Sequence, residues 1–436
     1  MKRRLAAVSV AVLLTWLWTG PSGAVFLDED RTIQITGKAL VQGSMRLETS
    51  DSNGRSCLGK AGSGYRSCEN FTFPATGVGH VIQERNLLDL EFFHDVGGWL
   101  GSEFTALDRL SYRTRFKYFY DSVYDIGPDN YRNPSQHMVP TDKYGLRNAR
   151  HLAHQHDPLW NAYVDIAKDR LQVRVGRQDL SWGESDGFRL LDMIQPLDGR
   201  FGFPLVEDLD DRRIPLWMVR PTIGVGNVGP FSNLSIDGYW VPGVIDNQEA
   251  PITPTGNPFA APNPPGSAVV SIPANTMRNS RGGARIIGST FNNALTFSVG
   301  HYVTFNDIPS ARLMIIADPL NPTAPPRTPF LVEYYQQQIT GGTATFALPF
   351  DPYTIVRTEI AHFWDERVFM PSQSVGLAQG RIAPYPDGTL RGLGALPTKN
   401  VLRWMIGLDR NVWIRSLNPT NTFYLTAQYF HTNILN

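Results

Sequence analysis

Apolar and polar residues alternate with a period of two along much of this chain, and the alternating stretches are long. From Ile33 one face reads Ile33, Ile35, Gly37, Ala39, Val41, Gly43, Met45 and Leu47. The other face reads Gln34, Thr36, Lys38, Leu40, Gln42, Ser44, Arg46 and Glu48. Successive side chains of a strand point to opposite faces, so this run predicts a strand with one greasy and one polar side. It also exceeds the roughly five or six residues of a common soluble strand. Tyr112, Thr114, Phe116, Tyr118 and Tyr120 repeat the pattern against Arg113, Arg115, Lys117 and Phe119. About 14 such segments are recognisable along the chain, a number within the range of membrane barrels. They include Leu87–Phe93, Leu159–Ala167, Arg170–Leu180, Pro215–Val225, Leu331–Thr340, Ala344–Pro349, Tyr353–Trp364, Val401–Trp413 and Thr422–Phe430.

The connections are unequal. Phe291-Asn292-Asn293-Ala294 and Ile166-Ala167-Lys168-Asp169-Arg170 are tight hairpin candidates, with the Asn and Asp that such turns favour. Residues near 50–80, 242–280, 317–329 and 370–400 are long and rich in Pro, Gly or Asn. Short turns at one end and long loops at the other mark an outer-membrane barrel. A large secreted β-sandwich is the competing reading, and alternation alone does not separate the two. Strand length and loop asymmetry favour an all-β, transmembrane, antiparallel barrel of the outer-membrane type. Its aromatics would meet lipid and its charges a wet lumen. One segment breaks the pattern: Glu184 to Pro196, where Ser185 or Asp186 could cap a short helix that Pro196 ends, in a loop or inside the lumen.

Composition supports this picture. The 436 residues carry 23 Phe, 16 Tyr and 10 Trp beside 39 Gly and 32 Pro, strand formers beside turn formers. Lys+Arg and Asp+Glu both total 40, a balance that gives no case for nucleic-acid binding. At the N-terminus Lys2, Arg3 and Arg4 precede an apolar run from Leu5 to Trp18, and Ser22-Gly23-Ala24 offers small residues. That is a signal peptide over residues 1–24 with cleavage after Ala24, because about 14 apolar residues fall short of the roughly 20 that span a bilayer. Residues 25–436 are then the barrel. Cys57 and Cys68, the only cysteines, are expected to form a disulfide in an oxidising compartment.

Three constellations could carry chemistry. Lys38, Asp89, Glu91, Arg113, Arg115, Lys117 and Arg174 fall on polar strand faces, as do Glu359 and Asp365. In a barrel they either set solute preference or brace the lumen as pairs. Gly183-Glu184-Ser185-Asp186-Gly187 matches Gly-x-Ser-x-Gly, with His362 as a nominal base. The strand before it carries Gln172, Arg174 and Gln178, whereas the central strand of a hydrolase is apolar on both faces. His151, His154 and His156 cluster before Asp157, a weak metal candidate without a second ligand set, and no metal or cofactor is assigned. Trp160, Trp217, Trp240, Trp364, Trp404 and Trp413 suit interfacial girdles.

Several of these pieces occur in a characteristic order. Gly176, Arg177, Gln178, Trp182 and Gly183 are followed by Gln195, Pro196 and Asp198, and then by Pro215 and Met218. With the opening Phe26–Lys38, this resembles the proteobacterial outer-membrane family catalogued as domain of unknown function 1302. The resemblance is best over the first half of the chain. It implies a large barrel in the outer membrane of a Gram-negative bacterium, associated with hydrophobic compounds such as sterols or other lipids. Family members are generally longer, and here the chain runs past Phe430 into His-Thr-Asn-Ile-Leu-Asn, which suggests a truncated product.

The expected function is therefore an outer-membrane channel or transport protein for small hydrophobic solutes, without catalysis. Trp182–Asp198 would be its plug or constriction, with Arg189 and Asp192 as charged contacts. Expected partners are outer-membrane lipid and lipopolysaccharide, the barrel-assembly machinery and the solute. The alternatives are a structural or adhesive barrel without conductance and, less favoured, an outer-membrane serine hydrolase.

Overall fold

The computed structural model describes residues 24–45, 79–101, 106–128, 154, 156–201, 209–245, 268–306, 310–315, 330–348, 351–368, 391–392 and 398–435. Residues 1–23 of the proposed signal peptide, Cys57, Cys68 and His151 lie outside these residues. So do much or all of the loops proposed near 50–80, 242–280, 317–329 and 370–400.

Long period-two runs become long strands. The first half contributes β1 (Val25–Phe26), β2 (Ile33–Met45), β3 (Val81–Asp95), β4 (Arg109–Asp121), β5 (Leu159–Lys168), β6 (Leu171–Gln178), β7 (Leu216–Val228) and β8 (Phe231–Val241). Four short strands, β9 (Ala268–Ser271), β12 (Ser310–Ile315), β13 (Phe330–Glu333) and β16 (Arg391–Gly392), form a small separate sheet. The remainder are β10 (Arg281–Thr290), β11 (Leu295–Phe305), β14 (Gln336–Leu348), β15 (Asp351–Arg367), β17 (Thr398–Val412) and β18 (Phe423–Ile434). The main sheet has 14 strands in the order β1-β2-β3-β4-β5-β6-β7-β8-β10-β11-β14-β15-β17-β18. All its pairings are antiparallel, and β1 and β18 are its two edges. No helix among the described residues is long and apolar enough to cross a membrane; α1 (Val96–Leu100), α2 (Val123–Ile126) and α3 (Leu209–Arg212) are single turns.

The faces are inverted relative to a soluble protein. Leu88, Leu90, Phe116, Tyr118, Ile236, Ile360 and Leu408 are exposed, while their strand neighbours Asp89, Lys117, Asp237, Glu359 and Asp409 are buried. Burying charge and exposing hydrocarbon is costly in water but stable when lipid lies outside and paired polar groups lie within. The sheet is curved, as its contacts with one short segment require. Laid flat at about 4.8 Å per strand, β2 and β18 would stand about 60 Å apart. Yet Lys38 of β2 meets Asp211, and Gln428 of β18 meets Asp186, both on the connection between β6 and β7.

Several expectations change in detail. Leu331–Thr340 and Ala344–Pro349, expected as two separate strands, divide differently: β14 runs straight through Gly341-Gly342, and Leu331 belongs to β13 in the small sheet. These glycines serve close packing; a Cβ on Gly341 would stand 2.7 Å from the Leu191 side chain. The predicted hairpins form, with Asp169 at φ 52° and Phe291, Asn292 and Asn293 at 51°, 54° and 66°, the left-handed backbone that tight turns need. Residues after Phe430 continue β18 to Ile434. Asp365 does not follow the polar face of β15. A register shift between Phe363 and Glu366 leaves it exposed and turns Glu366 inward to Arg403 at 2.6 Å.

Candidate functional site: the luminal segment

The connection between β6 and β7 leaves the wall at Gln178 and returns at Leu216; its described residues, 179–201 and 209–215, are tied to the inner face. Its anchorage begins at Gly176, whose φ of 133° is open to glycine; a Cβ there would meet the Tyr163 Cα at 2.7 Å. Gln178 is fully buried and donates through Nε2 to the Met218 carbonyl at 3.2 Å. Gln195 Nε2 donates to the Gln178 carbonyl at 2.8 Å, while Leu180 N donates to Gln195 Oε1 at 2.8 Å. The three parts of the sequence motif thus converge on one hydrogen-bonded neck. Each amide there satisfies backbone groups that would otherwise be buried unpaired.

Beyond the neck the expected helix does not form. Residues 180–198 are irregular, and the helical turns of the described connection lie further on, at Gly199–Phe201 and in α3. The wall supplies the partners a helix would have supplied. Glu359 of β15 accepts from Glu184 N at 2.7 Å and Ser185 N at 3.0 Å through Oε2, and from Leu191 N at 2.5 Å through Oε1. Tyr302 Oη donates to the Leu191 carbonyl at 2.6 Å, and Thr304 Oγ1 to the Ile194 carbonyl at 3.0 Å. Arg357 donates to the Glu184 carbonyl at 2.5 Å and pairs with Asp186 at 2.6 Å. Between these polar ties Leu190, Leu191, Met193 and Ile194 pack into one apolar cluster with Tyr302, Ile339, Phe363, Val401 and Met405 of the wall.

The proposed charged contacts hold the segment's own shape. Asp192 pairs with Arg213 at 2.6 Å, and Arg189 donates to the carbonyls of Asp192 and Gln195 at 3.1 and 2.8 Å. Trp182 lies edge-on to Tyr239 and Tyr302, with its Nε1 donating to Asp237 at 3.2 Å. On the opposite side of the lumen, Asp211 of α3 meets Lys38 at 3.7 Å and Arg115 at 3.2 Å, and its carbonyl accepts from Lys117. Arg115 also pairs with Asp89. Glu91–Arg113 at 3.1 Å and Asp165–Arg174 at 2.7 Å are further pairs along β3 to β6. Every proposed lumen charge is thus engaged. Asp237, Arg213, Asp211, Arg357 and Gln428 escaped the sequence reading. Asp237 had a signal, a lone carboxylate on the polar face of an alternating strand.

Burial pushes the Asp211 carboxyl up, but Lys117, Lys38 and Arg115 outweigh it and hold the group below its ordinary value. A carboxylate with a depressed folded pKa contributes stability above its unfolded pKa and loses it as pH falls through the folded value. The α3 attachment is therefore expected to hold from neutral pH down to about pH 4 and to loosen only below it. Protease nicking near residue 211, measured between pH 7 and pH 3, checks this. Loosening already at pH 6 would contradict it.

Other constellations come apart. Trp160 is not a girdle residue: it is buried, and the Lys117 ammonium lies 4.9 Å from its ring centroid. Trp217, Trp240, Trp364 and Trp413 are exposed. Ser185 faces the lumen with an unpartnered Oγ, whereas His362 alternates with the inward Ala361 and Phe363 and packs on the exposed Trp364. The wall lies between them. His154 packs tilted against Tyr120 and lies 3.7 Å from the Asp125 carboxylate. Among the described residues no three His, Cys, Asp or Glu side chains converge as metal ligands do.

A wall with charge inside, hydrocarbon outside and a folded-in connection defines an outer-membrane-type β-barrel with a luminal segment. The chain belongs to the family described as Protein of unknown function (DUF1302), which matches residues 5–436. No curated protein matches it. Among solved structures it is similar to OmpT, an outer membrane protein of Vibrio cholerae, at 8% identity and TM-score 0.29, covering 91% of this chain and 89% of that one. Salmonella typhi OmpF in complex with daunomycin matches at 7% identity and TM-score 0.28, covering 94% and 100%. P. aeruginosa FpvA bound to a heterologous pyoverdine matches at 11% and 0.26, covering 92% and 47%. These TM-scores are low, so the architecture stands on the chain's own strand order and faces.

Proposed function

We propose that this protein is a transport barrel of the Gram-negative outer membrane whose resting state is closed by the luminal segment from Asp179 to Pro215. Export by the N-terminal signal peptide, folding by the barrel-assembly machinery, and a setting of lipid and lipopolysaccharide belong to the same reading. One observation carries it: the segment is irregular and is held by side-chain ties from several strands, not by a continuous backbone ladder. Such ties can open one after another while the wall stays intact. The path they close is apolar at its centre, and its charges are paired with one another. A small hydrophobic solute suits that lining better than an ion, because neutralised charges leave no net field to select one.

The dense pairing also favours a second reading, a structural barrel without conductance. Reconstitution separates them. Replacing residues 184–194 with a short Gly-Ser linker is expected to raise both ion conductance in planar bilayers and entry of a hydrophobic fluorescent probe into liposomes. If neither rises although the protein inserts, transport fails and the structural barrel takes its place.

A further inference from the structure

The lipid-facing wall is recessed beside the plug's neck. A groove of about 480 Å³ lies across β4 to β8, within the roughly 300–1,000 Å³ of small-molecule sites. Its rim is built by outward side chains, chiefly Tyr112, Val164, Val175, Trp217 and Trp240. At its centre Gly176 lies in register between Tyr163 and Met218. All three line the groove, although their strand positions point inward. Tyr163 turns its ring inward to Arg174, 4.2 Å away, and Gly176 has no side chain, so backbone forms the floor. Met218 also belongs to the cluster that holds the luminal segment, so one wall thickness separates groove and plug. Pro242 and Ile245 extend the lining into the long connection after β8.

We propose that this groove binds one acyl chain of a bilayer lipid. The occupant follows from continuity with the lipid-facing wall, because hydrocarbon is what reaches a recess in that surface. Neither Arg113, which pairs with Glu91, nor any acidic residue offers a headgroup site within it. Aromatic walls over a bare backbone floor suit a slender, flexible chain that can follow the strand tilt. The inference rests on the membrane setting proposed above.

The test uses the full chain in phosphatidylcholine liposomes containing a phospholipid with a diazirine at mid-acyl chain, followed by photolabelling and peptide mapping. Labelling should concentrate on Val175, Trp217 and Trp240 relative to Val299 and Ile286, exposed positions of the adjoining strands β10 and β11 outside the groove. Ala162→Trp, which fills the groove from an outward position, should lower it roughly tenfold, a difference of about 1.4 kcal/mol. Val299→Trp should leave it unchanged. Uniform labelling of all outward positions, or labelling indifferent to Ala162→Trp in an inserted protein, overturns the proposal. Failure to insert into liposomes would instead remove the membrane reading on which it stands.

Discussion

Glu359→Ala is expected to release the luminal segment while leaving the barrel wall assembled. The Glu359 carboxylate is 2% exposed and accepts three backbone N–H groups from Glu184, Ser185 and Leu191. Each donor left buried without a partner costs about 1–3 kcal/mol, so the closed state should lose on the order of 3–9 kcal/mol before relaxation. Removing a buried charge also recovers some solvation, which works the other way. The three donors win, because they are fixed in an irregular stretch with no helix to take them up. Once free, residues 184–191 should become protease-sensitive and the barrel should conduct. Glu359→Gln separates charge from geometry. Its single carbonyl oxygen can serve the Glu184 and Ser185 pair, but its amide presents a donor to Leu191 N, so a partial effect is expected. Should Glu359→Ala resist protease and stay as closed as the parent, the carboxylate is not the latch.

The wall was far more legible in the sequence than the plug, for a physical reason. Period-two alternation is a local property, and each strand of Ile33–Met45 or Arg109–Asp121 type declares both faces on its own. Errors fell where local rules compete with long-range packing. The expected strands stop at Thr340 and resume at Ala344, because glycine usually punctuates strands, yet Gly341 makes room for Leu191 from far along the chain. Trp160 looked interfacial because tryptophan favours the headgroup zone, but a register shift between Leu159 and Asn161 turns it inward against Lys117. The helix expected after Ser185 had a plausible cap and a terminating proline. It lost to Glu359, whose hydrogen bonds span 168 to 175 positions of sequence and leave no local trace. Motif order, by contrast, is informative: Gln178, Gln195 and Met218 belong to one ordered set in the sequence and meet at the neck.

Asp237→Ala should be among the most damaging single substitutions in the wall. Asp237 of β8 is 1% exposed and accepts from both guanidinium arms of Arg220, at 2.9 and 3.0 Å, and from Arg285 at 3.2 Å. Thr222 Oγ1 at 3.1 Å and Trp182 Nε1 at 3.2 Å complete its shell. Without the carboxylate two guanidinium groups face each other across β7, β8 and β10 with their shared hydrogen-bonded anion gone and only Glu184 acting on Arg285. Breaking a buried pair by removing one partner costs about 3–5 kcal/mol, and here one anion serves two cations. Arg285 also lies over the Trp182 ring, so its displacement should carry the plug's first anchor with it. A lowered urea midpoint in detergent is therefore expected together with faster protease nicking of the luminal segment. The double variant Asp237→Ala, Arg285→Met should recover part of the loss, because it removes one stranded charge and keeps most of the side-chain volume. Strictly additive single effects in that cycle would mean that Asp237 and Arg285 do not interact, and the coupling between wall charge and plug would have to be abandoned.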